Sequence, residues 1–204
     1  MTYVLASNNP GKAQEIRPLF AAAGLRLVTL AELGRHFVPG EDTTTFEGNA
    51  RQKAAETAAF LAVQQPHGGP FTVLADDSGL QIDALGGLPG VDSALYLGEE
   101  TPYEVRNAHI LAQLANVPDA QRTARFVCVV ACCLPDGALF TTTATCEGRI
   151  AHTPQGCGGF GYDPIFLLPE MGRGMAELSR EEKNGVSHRG RAMGQMLTRL
   201  ATRF

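Results

Sequence analysis

The sequence predicts an α/β fold, a mixed β-sheet flanked by helices in one domain or two lobes. Three observations predict it: an apolar strand that turns at once into a helix, two long β-type runs joined by Pro-Asp-Gly, and a closing helix with an apolar stripe. A chain of 204 residues with 44% hydrophobic content can bury a substantial core. With no repeat, low-complexity tract or clear linker, residues 1–204 read as a single domain.

The opening "YVLA" is a short apolar strand, and "SNNPGK" turns it into a helix whose apolar positions Ile16, Leu19, Phe20 and Ala23 fall at helical spacing. Pro18 lies inside that helix, where a missing N–H and a bulky ring predict a kink. A second helix over Thr45 to Leu61 follows from Phe46, Ala50, Ala54, Ala58 and Leu61 on one face, and "QQPHGGP" ends it. "FTVLA" and "LQIDAL" read as strands flanking "DDSG". "ARFVCVVACCL" and "ALFTTTATCEG" form a hairpin about Pro-Asp-Gly, which makes part of the sheet antiparallel. "GCGGFGYDPIFL" is a glycine-rich loop entering a short strand. Ser179 and Glu182 have capping-box spacing for a short helix. From about Ser187 the last helix carries Met193, Met196, Leu197 and Leu200 on its stripe.

Composition excludes several classes of partner. A formal net charge of -4 leaves no basic footprint for duplex nucleic acid or an anionic membrane. No apolar run approaches the roughly 20 residues of a membrane span, and "MTYVLASNN" lacks a signal-type start, which predicts a soluble cytoplasmic protein. The five cysteines are odd in number and include no CxxC pair, so Cys128, Cys132 and Cys133 read as core thiols.

Five stretches carry chemistry, each open to a plainer reading. In "SNNPGK" a helix N-terminus and Lys12 suit a polyphosphate, or Asn simply caps a surface helix. In "VLADDSGLQI" two adjacent carboxylates at a strand end repel each other unless a cation compensates them. That suggests magnesium, which binds through one or two carboxylates plus phosphates; the alternative is a turn, with one Asp capping and the other solvated. Strand alternation lets only one of the two face a site squarely. "EDTTTFEGNARQKA" places Glu41, Asp42 and Glu47 around a helix start, where acids are favourable without any function, with Arg51 and Lys53 further along. "GGFGYDP" offers exposed backbone and a ring for a base, or a tight loop burying Phe160 and Tyr162. "EEKNGVSHRG" presents Lys183, His188 and Arg189; cations at a helix start oppose its dipole and imply an anionic or acceptor partner, unless they form a solvated surface.

Taken in order, these stretches resemble the inosine/xanthosine triphosphate pyrophosphatase family, over nearly the whole chain. "LASNNPGK" is similar to its phosphate motif, "GEDTTTFEGNARQKA" to its acidic-then-helix segment, and "ADDSGL" with "GGLPGVDSALY" to its central signature, completed by "GGFGYDPIF" and "EEKNGVSHRG". The resemblance implies Mg²⁺-dependent conversion of a non-standard purine nucleoside triphosphate (ITP, dITP, XTP) to monophosphate and pyrophosphate, in a homodimer with an α/β fold, an elongated mixed β-sheet flanked by helices, whose active site lies in the cleft between two lobes. It makes Asp77 the catalytic residue and a metal ligand, with Glu41 as its metal partner. It brings Ser7, Asn8, Asn9, Pro10, Gly11, Lys12, Lys53 and Ser78 to the phosphates. Phe160, Gly161, Tyr162 and Asp163 would frame the nucleoside, and Lys183, His188 and Arg189 would reach base and phosphate. The chain departs from the family pattern at Leu95, in "SALY" for "SARY", and at Gly48, where an acid commonly precedes Asn49. Rival readings are a pyrophosphatase for other modified bases and a non-catalytic nucleotide-binding module. The module would not need Glu41 and Asp77 together.

Overall fold

The computed structural model describes residues 2–64 and 70–203. In chain order the elements are β1 (Thr2–Leu5), α1 (Pro10–Ala22), β2 (Leu27–Thr29), α2 (Phe46–Gln64), β3 (Phe71–Ile82), α3 (Tyr103–Gln113), β4 (Thr123–Cys133), β5 (Leu139–Ile150), β6 (Phe166–Leu168), β7 (Arg173–Gly174), α4 (Arg180–Val186) and α5 (His188–Ala201). The expected end of α2 at "QQPHGGP" falls mainly on residues 65–69, outside the described residues. One seven-stranded sheet has the order β2-β1-β3-β4-β5-β6-β7. It is mixed, as predicted: β1 runs parallel to β2 and β3, while β6 is antiparallel to β5 and β7. The Pro-Asp-Gly turn closes with the Leu134 N–H donating to the Ala138 carbonyl at 2.9 Å.

Pro18 lies inside α1, which continues to Ala22; the proline is on the exposed side while Ile16 and Phe20 anchor the buried one. One expectation is corrected: the chain does not turn at "DDSG". Instead β3 runs unbroken for 12 residues, with both aspartates buried in it. Two adjacent acids look like a strand end only while their partners are unknown, and paired buried charge overrides local polarity here.

The chain divides into two compact units, and β3, β4 and β5 each contribute to both. The first unit (Met1–Asp77, Cys128–Ala144, Arg189–Phe204) covers both faces of its strands. On one face Tyr3, Leu5, Leu74, Cys128, Val130 and Cys132 pack with Ile16 and Phe20 of α1 and Met193, Met196 and Leu200 of α5. On the other, Val4, Val73, Ala75, Val129, Ala131 and Cys133 pack with Ala50, Ala54 and Leu61 of α2. The three cysteines are core thiols, as predicted, and burial pushes the Cys132 thiol up to about 12. The second unit (Ser78–Val127, Thr145–His188) has its own core, including Leu80, Ile82, Ile110, Phe126, Tyr162 and Phe166. There Ser179 caps α4 through the predicted reciprocal box with Glu182.

Candidate active site

Strand alternation decides where the two aspartates go. Val73 and Ala75 face α2 and Leu74 faces α1 and α5, so Asp77 turns toward α2 and Asp76 toward α1 and α5.

On the α2 side, Asp77 Oδ1 accepts from Lys53 Nζ at 2.8 Å and Asp77 Oδ2 from Asn49 Nδ2 at 3.2 Å. The same ammonium stands 3.1 Å from Glu41 Oε1, which brings the two acids named as metal partners onto one cation. Asp77 is buried, and that burial, reinforced by the nearby Glu41 charge, holds its pKa above the ordinary carboxylate value against the pull of Lys53. Burial works to lower the Lys53 pKa, but the charges of Asp77, Asp76 and Glu41 outweigh it and leave Lys53 above its usual value.

The α1 side holds a denser charge cluster. Asp76 Oδ2 meets Lys12 Nζ at 3.1 Å and Arg189 Nε at 3.1 Å, and Arg189 Nη1 meets Glu15 Oε2 at 2.6 Å. Burial alone would raise the Asp76 pKa; Lys12 and Arg189 reverse it and hold the group far below the carboxylate range. Arg189 has its charge met within this cluster. It is buried in the first unit against Glu15 and Asp76, so the anionic partners that its place at a helix start demanded are the protein's own.

At the start of α1 the capping reading holds. Asn9 Oδ1 accepts from the N–H groups of Gly11 (2.9 Å) and Lys12 (3.3 Å), and Pro10 takes the first helical turn. A cavity of about 330 Å³ opens there, lined by Ser7, Asn8, Asn9 and Pro10 with Gln14, Arg17 and Thr29. Ser78, next in β3, is half-buried.

In the second unit Lys183 Nζ pairs with Asp163 Oδ2 at 2.5 Å and lies 4.9 Å from the centroid of the half-buried Phe160 ring. Asp163 also accepts from the Phe160 N–H at 2.8 Å, and a Cβ on Gly159 would run into that carboxylate. Gly161, at φ +68°, accepts at its carbonyl from Asn107 Nδ2 at 3.1 Å. Tyr162 is buried, its hydroxyl donates to the Ser93 carbonyl at 2.8 Å, and burial pushes its pKa up. His188 is 3% exposed and stacks on Phe126 at 4.7 Å and 12°. With Lys183 and Arg189 equally buried, the solvated-surface reading of this stretch fails.

Sequence reasoning passed over Glu15, Asn49 and Asn107. Glu15 shares a helical face with Lys12 and Leu19, and Asn49 lies one turn before Lys53; those spacings were the available signals. Asn107 had none. Of the two departures from the family pattern, Leu95 is exposed, and Gly48 is close-packed: a Cβ there would run into the Thr43 side chain.

Among the described residues no three His, Cys, Asp or Glu side chains gather as a metal cage. Two converging carboxylates still fit Mg²⁺, which commonly takes one or two protein carboxylates and completes its shell with water and substrate phosphates.

Comparison with known proteins agrees over the full length. A sequence model of the Ham1 family matches residues 3–199. The dITP/XTP pyrophosphatase of Desulforamulus reducens is 44% identical over 193 residues, covering 95% of this chain and 92% of that protein. Its counterpart from Geobacillus kaustophilus is 45% identical over 193 residues, covering 95% and 91%. The structure of the Staphylococcus aureus Ham1 protein superposes with a TM-score of 0.84 at 37% identity, covering 100% of both chains. A HAM1 protein from Coxiella burnetii gives 0.83 at 37% identity, covering 99% of each.

Proposed function

The chain belongs to the Ham1 family, and from that premise we infer that it is a nucleoside triphosphate pyrophosphatase. It hydrolyses non-standard purine nucleoside triphosphates, ITP, dITP and XTP, to the monophosphate and pyrophosphate. One observation carries the hydrolytic reading over a binding module: Asp77 and Glu41 converge on one cation beside a buried amide, an arrangement that retention of a nucleotide would not require.

In the proposed mechanism Asp77 takes the proton of a water as that oxygen bonds to the α-phosphorus. The bond from that phosphorus to the bridging oxygen breaks, and pyrophosphate departs. A raised pKa suits a base, because proton transfer to it is more favourable. Asn49 holds the second Asp77 oxygen and so orients the acceptor. Lys53 and Lys12 offset phosphate charge, with Ser7, Asn8 and Ser78 as hydroxyl and amide partners. Mg²⁺, held by Glu41 and Asp77, would supply charge neutralisation and acidify water when bound. Arg189 acts as the fixed support of Asp76 and Lys12.

For the base, we assign Phe160 to contact the ring and Lys183 and His188 to donate toward a 6-keto oxygen. An adenine 6-amino group cannot accept such a bond, so a site built of donors disfavours it. Replacing His188 with Ala should lower the preference for ITP over ATP about tenfold, as expected for loss of one hydrogen bond near a buried group. The loss should fall on ITP kcat/KM; equal losses on both substrates would remove His188 from base recognition.

We place the enzyme in the cytoplasm as a homodimer, without nucleic-acid or membrane partners. Exposed Leu88, Leu95, Leu97 and Val105 in one stretch of the second unit support self-association. Sedimentation at micromolar concentration should show a dimer, and monomer alone would overturn it. The function itself is tested by pyrophosphate release across a panel of triphosphates with and without Mg²⁺. Release that is fastest from ITP, dITP and XTP and dependent on the metal is expected. Equal rates on ATP and GTP would reject the substrate class.

A further inference from the structure

Glu41 is half exposed and sits on the irregular segment 34–45, outside any helix or strand. A carboxylate on such a segment needs its backbone held if it is to meet Asp77 repeatedly in one place. Four side chains of α2 do the holding. Asn49, Lys53, Glu56 and Phe60 are spaced four, three and four residues apart, which puts them on one stripe of the helix. The segment crosses that stripe in the opposite direction. Phe37 stacks on Phe60 at 4.6 Å and 11°; the Gly40 N–H donates to Glu56 Oε2 at 2.8 Å; Glu41 meets Lys53 at 3.1 Å; and Thr43 donates to Asn49 Oδ1 from its N–H (3.0 Å) and hydroxyl (2.8 Å). Asn49 then passes to Asp77, so one helix face sets the position of both acids.

Within this array Glu56 grips the residue directly before Glu41. Its second oxygen accepts from Gln52 Nε2 at 2.9 Å, which fixes the carboxylate rotamer. The contact is close: a Cβ on Gly40 would displace the Gln52 amide. A charge-assisted bond to a backbone N–H is among the stronger hydrogen bonds, and it pins the peptide that precedes Glu41.

We infer that Glu56 is a positioning residue for Glu41: by accepting the Gly40 N–H and the Gln52 amide it holds the loop in the register at which the Glu41 carboxylate reaches the divalent cation. The inference rests on the reading of Glu41 as a ligand of that ion. Glu56 touches neither substrate nor metal in this role.

Two variants test it, with Mn²⁺ as the probe and the intact protein free of nucleotide. Glu56→Ala should weaken Mn²⁺ binding, read by electron paramagnetic resonance, by about tenfold, the loss typical when a residue supporting a metal ligand is removed. It should also speed amide hydrogen exchange at Gly40 and Glu41. Glu56→Gln keeps an acceptor for Gly40, and its new amide can donate to Gln52 Oε1, a buried oxygen without a hydrogen-bond partner among the described residues. That variant should stay within about twofold of wild type in Mn²⁺ affinity, since the bonds rather than the charge do the positioning. A Glu56→Ala protein that melts lower but binds Mn²⁺ like wild type overturns the inference, as do equal losses in the two variants. Glu41→Gln, measured alongside, separates the failures. Weakened binding there with none in Glu56→Ala sinks the positioning role alone, whereas wild-type binding in Glu41→Gln sinks the ligand reading and the inference with it.

Discussion

Asp77→Asn is expected to lower pyrophosphate release from ITP by about two or more orders of magnitude, the combined effect of losing a base and an anionic ligand. Asparagine is nearly isosteric and can keep one acceptor toward Lys53, so the buried site loses charge without losing volume. Thermal stability should change little, because the wild-type carboxylate is itself opposed by its burial. The measurement is steady-state pyrophosphate release beside a melting curve. A variant that melts and turns over like wild type would end the assignment of Asp77 as base. Asp76→Asn provides the contrast: its carboxylate faces away from Asn49 and Lys53, so its lesion should appear in stability more than in the proton-transfer step.

Arg189→Met should be the most destabilising of the substitutions considered, at about 3–5 kcal/mol, because it removes a buried cation that two buried carboxylates share. Glu15 loses its 2.6 Å contact with the guanidinium, and Asp76 loses a 3.1 Å contact at the oxygen that Lys12 also meets. Set against a typical total stability of about 5–15 kcal/mol, that loss is large enough to shift a denaturation midpoint plainly. The pH dependence identifies the cause. Asp76 has a folded pKa far below its unfolded value near 4, so its contribution is fully present above that value and is lost as pH falls toward the folded pKa. Removing Arg189 takes away part of that depression. The gap between variant and wild type should therefore be widest near neutral pH and narrow on acidification. A gap constant across that range would mean that Arg189 contributes packing and not charge.

Much of this protein was legible before any coordinates. The helical spacing of Ile16 and Phe20, and of Ala50, Ala54 and Leu61, identified α1, α2 and their buried faces, because a 3.6-residue period is a local property that survives in any tertiary context. Ser179 with Glu182 marked the start of α4 for the same reason: a capping box satisfies its own backbone donors within one turn. The ordered motifs also named Asp77, Glu41 and Lys53, which the fold brings together.

Tertiary structure decided the rest. Whether "DDSG" is a turn or mid-strand depended on cations 64 and 113 positions away in sequence, Lys12 and Arg189, and no local propensity contains them. The partners of Arg189 are decided the same way, since Glu15, 174 positions away, is a carboxylate that meets it at 2.6 Å. The burial of Tyr162 is decided the same way, because a buried hydroxyl needs an acceptor, and the Ser93 carbonyl supplies one. Local backbone and side-chain geometry can be read along the chain, whereas the burial of charge is settled only by which distant groups arrive to compensate it.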